Sequence, residues 1–140
     1  MKPRLYFDTS VFGGVYDNEF ENETRQLFEM VERGEILCLY SEIVEIELVT
    51  APQKVKAHFN RIKDDCKEFL EFSENAENLA IQYLEEKVVG KTSLDDCRHI
   101  ATATIHKADY LVSWNFKHIV NVFRIQGYNA VNLKNGYKPL

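Results

Sequence analysis

Cysteine and proline are scarce in this chain, with three of each, and its 140 residues include a single tryptophan. Cys38, Cys66 and Cys97 are odd in number and widely spaced, with no Cys-x-x-Cys among them. That pattern excludes a disulfide framework and a structural zinc site of the usual ligand spacing. Isolated buried thiols suit a reducing cytoplasm, the expected location. Long apolar runs are also missing. Leu5-Tyr6-Phe7 is cut off by Asp8, well short of the ~7–15 residues of a signal-peptide core, and no stretch approaches the ~20 apolar residues of a membrane span. Excess positive charge is lacking too: 17 Lys and Arg stand against 22 Asp and Glu, a net charge of −5. Binding nucleic acid through bulk positive charge is thereby disfavoured.

Several chemistries are excluded by missing motifs. There is no Gly-x-x-x-x-Gly-Lys phosphate loop, no Gly-x-Gly-x-x-Gly and no Gly-x-Ser-x-Gly nucleophile elbow. His58, His99, His106 and His118 show no metal-ligand spacing such as His-x-x-x-His. Internal repeats and low-complexity tracts are absent. The 45% hydrophobic and 28% charged fractions are those of an ordinary globular chain. The length suits one domain over residues 1–140.

What is present alternates. Leu5–Phe7 reads as a short buried strand, ended by Asp8-Thr9-Ser10 and Gly13-Gly14. Thr24–Arg33 reads as a helix with Leu27, Phe28 and Val31 on one side and Gly34 as its stop. Ile36–Tyr40 is all apolar, as in a strand covered on both faces. Ser41 then caps a helix to about Thr50, ended by Pro52. Helices are predicted at Lys54–Phe72, Glu74–Lys87 and Leu94–Lys107, a third strand at Tyr110–Ser113 and a fourth at Asn129–Leu133. The pattern predicts an α/β domain whose central, mostly parallel sheet is flanked by helices on both faces. In such sheets, sites lie beyond the carboxyl ends of the strands. Asp8, Ser41 and Trp114-Asn115 fall there.

Not every acid is equally informative. Asp8 reads either as an inward carboxylate steadied by Thr9 and Ser10 or as an ordinary turn or cap at a strand end. At 100° per residue, Glu47 falls between Ile43 and Val44 on the apolar arc of its helix, and Glu45 falls opposite. A carboxylate so placed needs a salt bridge, a proton or a cation. Ser93 and Asp96 resemble a capping box, and acids in a first helical turn favour the helix dipole. Asp96 nonetheless borders the apolar arc beside Ile100 and Ala103, whereas Asp95 lies on the polar side.

Four short motifs then fall into order. Phe7-Asp8-Thr9-Ser10-Val11 resembles the opening motif of the PIN domain, and Ser41 followed six places on by Glu47-Leu48 is similar to its second. Asp96-Cys97-Arg98-His99-Ile100-Ala101-Thr102-Ala103 resembles the third and Ala108–Asn115 the fourth, together spanning nearly the whole chain. The resemblance implies a Mg²⁺- or Mn²⁺-dependent ribonuclease, most often the toxin of a VapBC-type toxin–antitoxin pair, with RNA as substrate and an antitoxin as partner. Homodimers are common in that family. By position, Asp8, Glu47 and Asp96 would form the acidic, metal-binding cluster; helical position also favours Glu47 and Asp96. Asn115 stands where the fourth motif usually carries Asp, so it contributes a hydrogen-bonding amide and no charge. The resemblance thus has Asp8 and Asp96 holding the metal directly or through water. Glu47 would be an outer-sphere ligand or the base that orients a water, with Asn115 and Ser10 in supporting hydrogen bonds.

Substrate contact would fall to local positive charge: Lys54, Lys56, Arg61, Lys63 and Lys67 on one helix, and Lys117, His118 and Arg124 after the third strand. Asp64, Asp65 and Glu68 interleave with the first set, which favours a solvated face there. Trp114 is placed either to stack on an unpaired base or to pack in the core. A haloacid-dehalogenase-like phosphatase would need Asp-x-Asp where this chain has Asp8-Thr9-Ser10, and a receiver domain would need an acid pair that is missing. The alternative reading is a catalytically weak PIN-like module that binds RNA or a partner protein. The net charge does not decide between them. Asp17–Glu35 holds seven acids against two basic residues and Glu68–Glu86 six against none, and neither stretch contains a candidate site residue.

Overall fold

The computed structural model describes residues 2–87 and 94–140. Strands β1 (Arg4–Phe7), β2 (Leu37–Ser41), β3 (Lys67–Leu70) and β4 (Tyr110–Val112) form one sheet in the order β3-β2-β1-β4. Every pairing is parallel: Leu5 lies opposite Cys38 on one side and Tyr110 on the other, and Ser41 lies opposite Leu70. The helices are α1 (Thr9–Gly13), α2 (Glu21–Glu32), α3 (Glu42–Leu48), α4 (Gln53–Arg61), α5 (Glu74–Glu85), α6 (Leu94–Ile105) and α7 (Val122–Lys134).

Both sheet faces are covered, as the all-apolar strands require. Successive strand residues point to opposite faces. Phe7, Cys38 and Val112 therefore pack with Val11, Phe12, Phe28, Val44, Val55 and Phe59 from α1 to α4. On the other face Tyr6 and Leu39 meet Leu70 and Ala103, the last from α6. Behind α6, residues Leu79, Tyr83, Ile100, Tyr128 and Val131 join α5, α6 and α7. Phe12 alone meets Phe7, Phe28 and Phe59 with ring centroids 6.0, 5.9 and 5.2 Å apart. Full burial of such a side chain contributes about 1.5–3 kcal/mol. Gly34, at φ +75°, ends α2 in the left-handed region, where a Cβ is disfavoured. Gly14 is required for another reason: a Cβ there would collide with the side chains of Thr24 and Trp114.

Two expectations fail. Lys54–Phe72 is not one helix: α4 stops at Arg61, a 3-10 turn spans Asp64–Cys66, and Lys67–Leu70 is the edge strand β3. Phe59, Ile62, Cys66 and Phe69 recur at three- and four-residue steps and mimic a helical stripe. The open edge of β2, however, presents backbone groups that need partners, and β3 satisfies them. Lys63 and Lys67 accordingly leave the proposed basic helix. Lys67 lies across the Phe59 ring at 4.3 Å and donates to the Phe59 carbonyl at 3.3 Å. Asn129–Leu133 is not a strand either but part of α7, capped by Asn121. Tyr128, Val131 and Asn132 instead form a buried face at helical spacing. The capping box at Ser93 lies outside the described residues.

The chain runs outward from β1 to β2 to β3, then crosses back through α5 and α6 to place β4 on the far side of β1. The carboxyl ends of β1 and β4 therefore form the switch point at which parallel sheets open a crevice.

Candidate active site

Asp8 leaves β1 at that switch point and is 4% exposed. Its backbone N–H donates to the Val112 carbonyl at 3.2 Å, which pins the end of β1 to β4. Ser10 donates to Oδ1 at 2.6 Å and Ser113 to Oδ2 at 2.7 Å, so each carboxylate oxygen holds a hydroxyl. Desolvation by burial nevertheless raises its pKa above the ordinary value. The charge of His99, when protonated, and the two serine bonds pull it down by less, while nearby Glu47 pushes it further up. The Asx-turn reading of Asp8 does not describe this: the side chain points inward and is shared between the loops after β1 and β4.

The two serines continue the connection. Ser10 Oγ also accepts from the Trp114 backbone N–H at 3.1 Å, and Ser113 Oγ from the Asn115 N–H at 2.9 Å. The Asn115 amide is oriented by its neighbours. Its Oδ1 accepts from the His118 N–H at 3.0 Å, which turns Nδ2 toward Asp96 Oδ1 at 3.4 Å, a long contact. Asn115 thus presents a donor to Asp96 where a carboxylate would repel it. Asp8, Ser10, Ser113, Asn115 and Asp96 form one connected polar group that joins the β1–α1 junction, the segment after β4 and the first turn of α6.

Glu47 joins from α3. Its helix buries Ile43, Val44 and Leu48, and the Glu47 side chain lies between that face and solvent at 35% exposure. Glu45 is exposed, and so is Asp95, which pairs with Arg98 at 2.9 Å. The two acids singled out by helical position are the half-buried ones. Glu47 Oε1 accepts from Thr9 Oγ1 at 2.8 Å and from His99 Nε2 at 2.5 Å. Burial would raise its pKa, but the His99 hydrogen bond, that ring's charge when protonated and the Thr9 hydroxyl outweigh it, so the carboxyl titrates below its ordinary value. Glu47 thus has the internal partner that its position demanded.

His99 was not expected from the sequence, where its spacing to other histidines carried no ligand pattern. The available signal was its place one helical turn after Asp96, on the same side of α6. Tyr6 and Ser113 are likewise not singled out by the sequence, and Thr9, expected with Ser10 to steady Asp8, donates instead to Glu47. Trp114 does not offer a free face to a base on the side of Phe20, which stacks on it with centroids 4.9 Å apart and planes 4° from parallel.

Among the described residues no three His, Cys, Asp or Glu side chains are grouped so as to hold a metal ion by themselves. The oxygen donors nonetheless fit a hard cation. Mg²⁺ takes one or two carboxylates and keeps several waters. Asp8 is a buried carboxylate with hydroxyl donors on both oxygens and a raised pKa, the situation that a cation relieves.

An all-parallel four-stranded sheet between two helical layers, with acids at its switch point, is a PIN-like fold. A chain of the crystal structure of VapBC2 from Rickettsia felis, bound to a DNA fragment from their promoter, matches 81% of this chain over 89% of its own length, with a TM-score of 0.58 and 16% identity. The likeness is one of fold, and it agrees with the VapC-like PIN resemblance carried by the four sequence motifs. No family model and no curated protein matches the sequence. Among the described residues no helix is long and apolar enough to cross a membrane.

Proposed function

We propose that this chain is a Mg²⁺- or Mn²⁺-dependent endoribonuclease that hydrolyses RNA phosphodiester bonds, acting in the cytoplasm as the toxin of a toxin–antitoxin pair. The observation that carries the reading is Asp8, a buried carboxylate whose ionisation the fold opposes, set at the switch point near Glu47 and linked to Asp96 through Ser113 and Asn115. Asp8 and Asp96 would hold the cation. When bound, it lowers the pKa of its water and neutralises charge on the phosphate. Ser10 and Ser113 fix the Asp8 carboxylate in one orientation. Asn115 steadies Asp96 with a donor and adds no charge. Glu47, kept ionised and held through Oε1, has Oε2 to accept a hydrogen bond from the attacking water.

The test is cleavage of single-stranded RNA with Mg²⁺ or Mn²⁺, abolished by EDTA. An Asp8→Asn variant that cleaves at the wild-type rate would sink the assignment. The VapBC2 neighbour is a complex bound to promoter DNA. By analogy, a cognate antitoxin encoded beside this chain would dock near the acidic crevice, and its co-purification with suppressed cleavage is the expected result.

A second reading, a PIN-like module that binds RNA or a partner without cleaving, draws on Asn115. Its amide replaces a charge that would help hold a cation. Failure of both Mn²⁺ binding and RNA cleavage at low salt would favour it.

A further inference from the structure

Tyr6, Ser41 and His99 are all buried, at 0, 0 and 2% exposure. A buried polar side chain is stable only when its donors and acceptors are met. Here they are met by one another. Tyr6 Oη lies 2.8 Å from Ser41 Oγ and 2.6 Å from His99 Nδ1, and His99 Nε2 lies 2.5 Å from Glu47 Oε1. Ser41 Oγ also accepts from the Ile43 N–H at 3.2 Å, capping the helix that carries Glu47.

Counting hydrogens sets the direction of each bond. With a neutral ring protonated on Nε2, Ser41 donates to Tyr6, Tyr6 donates to Nδ1, and Nε2–H donates to Glu47. Every polar hydrogen then has an acceptor. A proton on Nδ1 would turn the Tyr6 hydroxyl onto Ser41 and strand the Ser41 hydrogen.

We infer that His99 is a positioning residue, locked as its Nε2–H tautomer by Tyr6 and Ser41, that holds Glu47 by one oxygen so that the other faces the reacting water. Each element bearing a candidate acid contributes one member. Tyr6 lies two residues before Asp8 on β1, Ser41 caps α3 ahead of Glu47, and His99 lies one turn after Asp96 on α6. The frame therefore fixes the three acids relative to one another. Thr9, adjacent to Asp8, adds the second donor to the same Glu47 oxygen at 2.8 Å.

The role in water positioning rests on the ribonuclease reading, so one measurement is independent of cleavage. In the free protein, long-range ¹H–¹⁵N correlation of the His99 imidazole is expected to show the Nε2–H tautomer, and Tyr6→Phe to shift the Nδ1 resonance as that nitrogen loses its hydrogen bond, the Glu47 carboxylate keeping the proton on Nε2. An Nδ1–H ring in the wild type overturns the inference. So does an unchanged Nδ1 resonance in Tyr6→Phe. The second measurement is kinetic, on variants that melt cooperatively. His99→Leu should lower kcat about 10–100-fold, the usual cost of losing such a supporting partner, with KM for RNA and Kd for Mn²⁺ little changed. His99→Gln places an N–H near the Nε2 position and should recover most of the rate. Equal losses in the two variants, or a loss confined to Mn²⁺ affinity, would reject positioning. If His99→Leu does not fold, Tyr6→Phe serves in its place, with a smaller drop in kcat and unchanged Mn²⁺ affinity expected; an unchanged kcat there rejects the role. A wild-type protein that cleaves no RNA removes the ribonuclease reading, and the tautomer then decides the frame alone.

Discussion

Two buried tyrosines head two hydrogen-bonded networks in this molecule. In the helical layer, Tyr83 on α5 donates to Asn132 Oδ1 on α7, and Asn132 Nδ2 donates to Thr104 Oγ1 on α6 at 3.2 Å. Tyr83 and Asn132 are fully buried and Thr104 nearly so, and all three groups are neutral. Under the sheet, Tyr6 heads a network of similar burial that ends on the Glu47 carboxylate, a third exposed. Desolvation by burial pushes both phenol pKa values up, so both act as neutral hydroxyls. The difference lies at the far end. A network that closes on neutral amide and hydroxyl groups joins three helices and needs nothing from outside. One that delivers its last donor to a half-exposed carboxylate holds a charge in place at the crevice.

Substitutions can test that contrast, beginning with the acid next to the Tyr6 network. Asp8→Asn should reduce RNA cleavage by at least 10²-fold, in the range seen when a single group that stabilises charge in the transition state is lost. Without metal, it should also stabilise the fold by about 1 kcal/mol, as replacements at strained functional sites do. The sign follows from its pKa. Asp8 is raised above its ordinary 3.8, so its contribution to stability is present below that value and lost as pH rises through the folded pKa. The variant's advantage should therefore appear at neutral pH in thermal melts and vanish in acid.

Tyr83→Phe should cost about 1–3 kcal/mol in denaturant unfolding, because the buried Asn132 acceptor is left unpaired, and leave kcat unchanged. Tyr6→Phe should cost a similar amount and lower kcat as well. Equal kcat in the two variants would erase the distinction between the networks. For Glu47→Gln the pH dependence is opposite to that of Asp8. Its pKa is depressed from 4.5, so its stabilisation is present above that value and lost as pH falls through the folded pKa. The variant should melt lower than the wild type at neutral pH, and the gap should close in acid.

Asn115→Asp is a gentler change. An added carboxylate beside Asp96 should tighten Mn²⁺ binding several-fold, since ligand charge tunes such sites, and lower metal-free stability through like-charge repulsion. Titration calorimetry with Mn²⁺ measures the first and thermal melts the second. Glu45→Gln should change neither cleavage nor stability beyond about 0.5 kcal/mol, because Glu45 is an exposed acid on the wrong side of α3.

Some of this was legible beforehand, and some was not, for identifiable reasons. Short-range rules sufficed for Glu47 against Glu45 and Asp96 against Asp95, since position on a helix follows from the residue count alone. The same rules failed at Lys67–Leu70 and Asn129–Leu133. In the first, pairing with the open edge of β2 overrode a helical period; in the second, burial of Tyr128, Val131 and Asn132 at helical spacing made the run part of a helix. Three acids in order suggest a cluster, but among the described residues no three metal-binding side chains are grouped tightly.

The amino-acid order was enough to specify alternating apolar strands and amphipathic helices, the caps at Ser41 and Gly34 and the acids at strand ends, because each depends on a period or a local backbone preference. Strand order, the inward turn of Asp8 and the partnership of Glu47 with His99 depend on contacts 38 to 105 residues apart in the chain. Packing decides such contacts, because only the closed sheet brings the ends of β1 and β4 together and removes the water that Asp8, His99 and Tyr6 would otherwise bind.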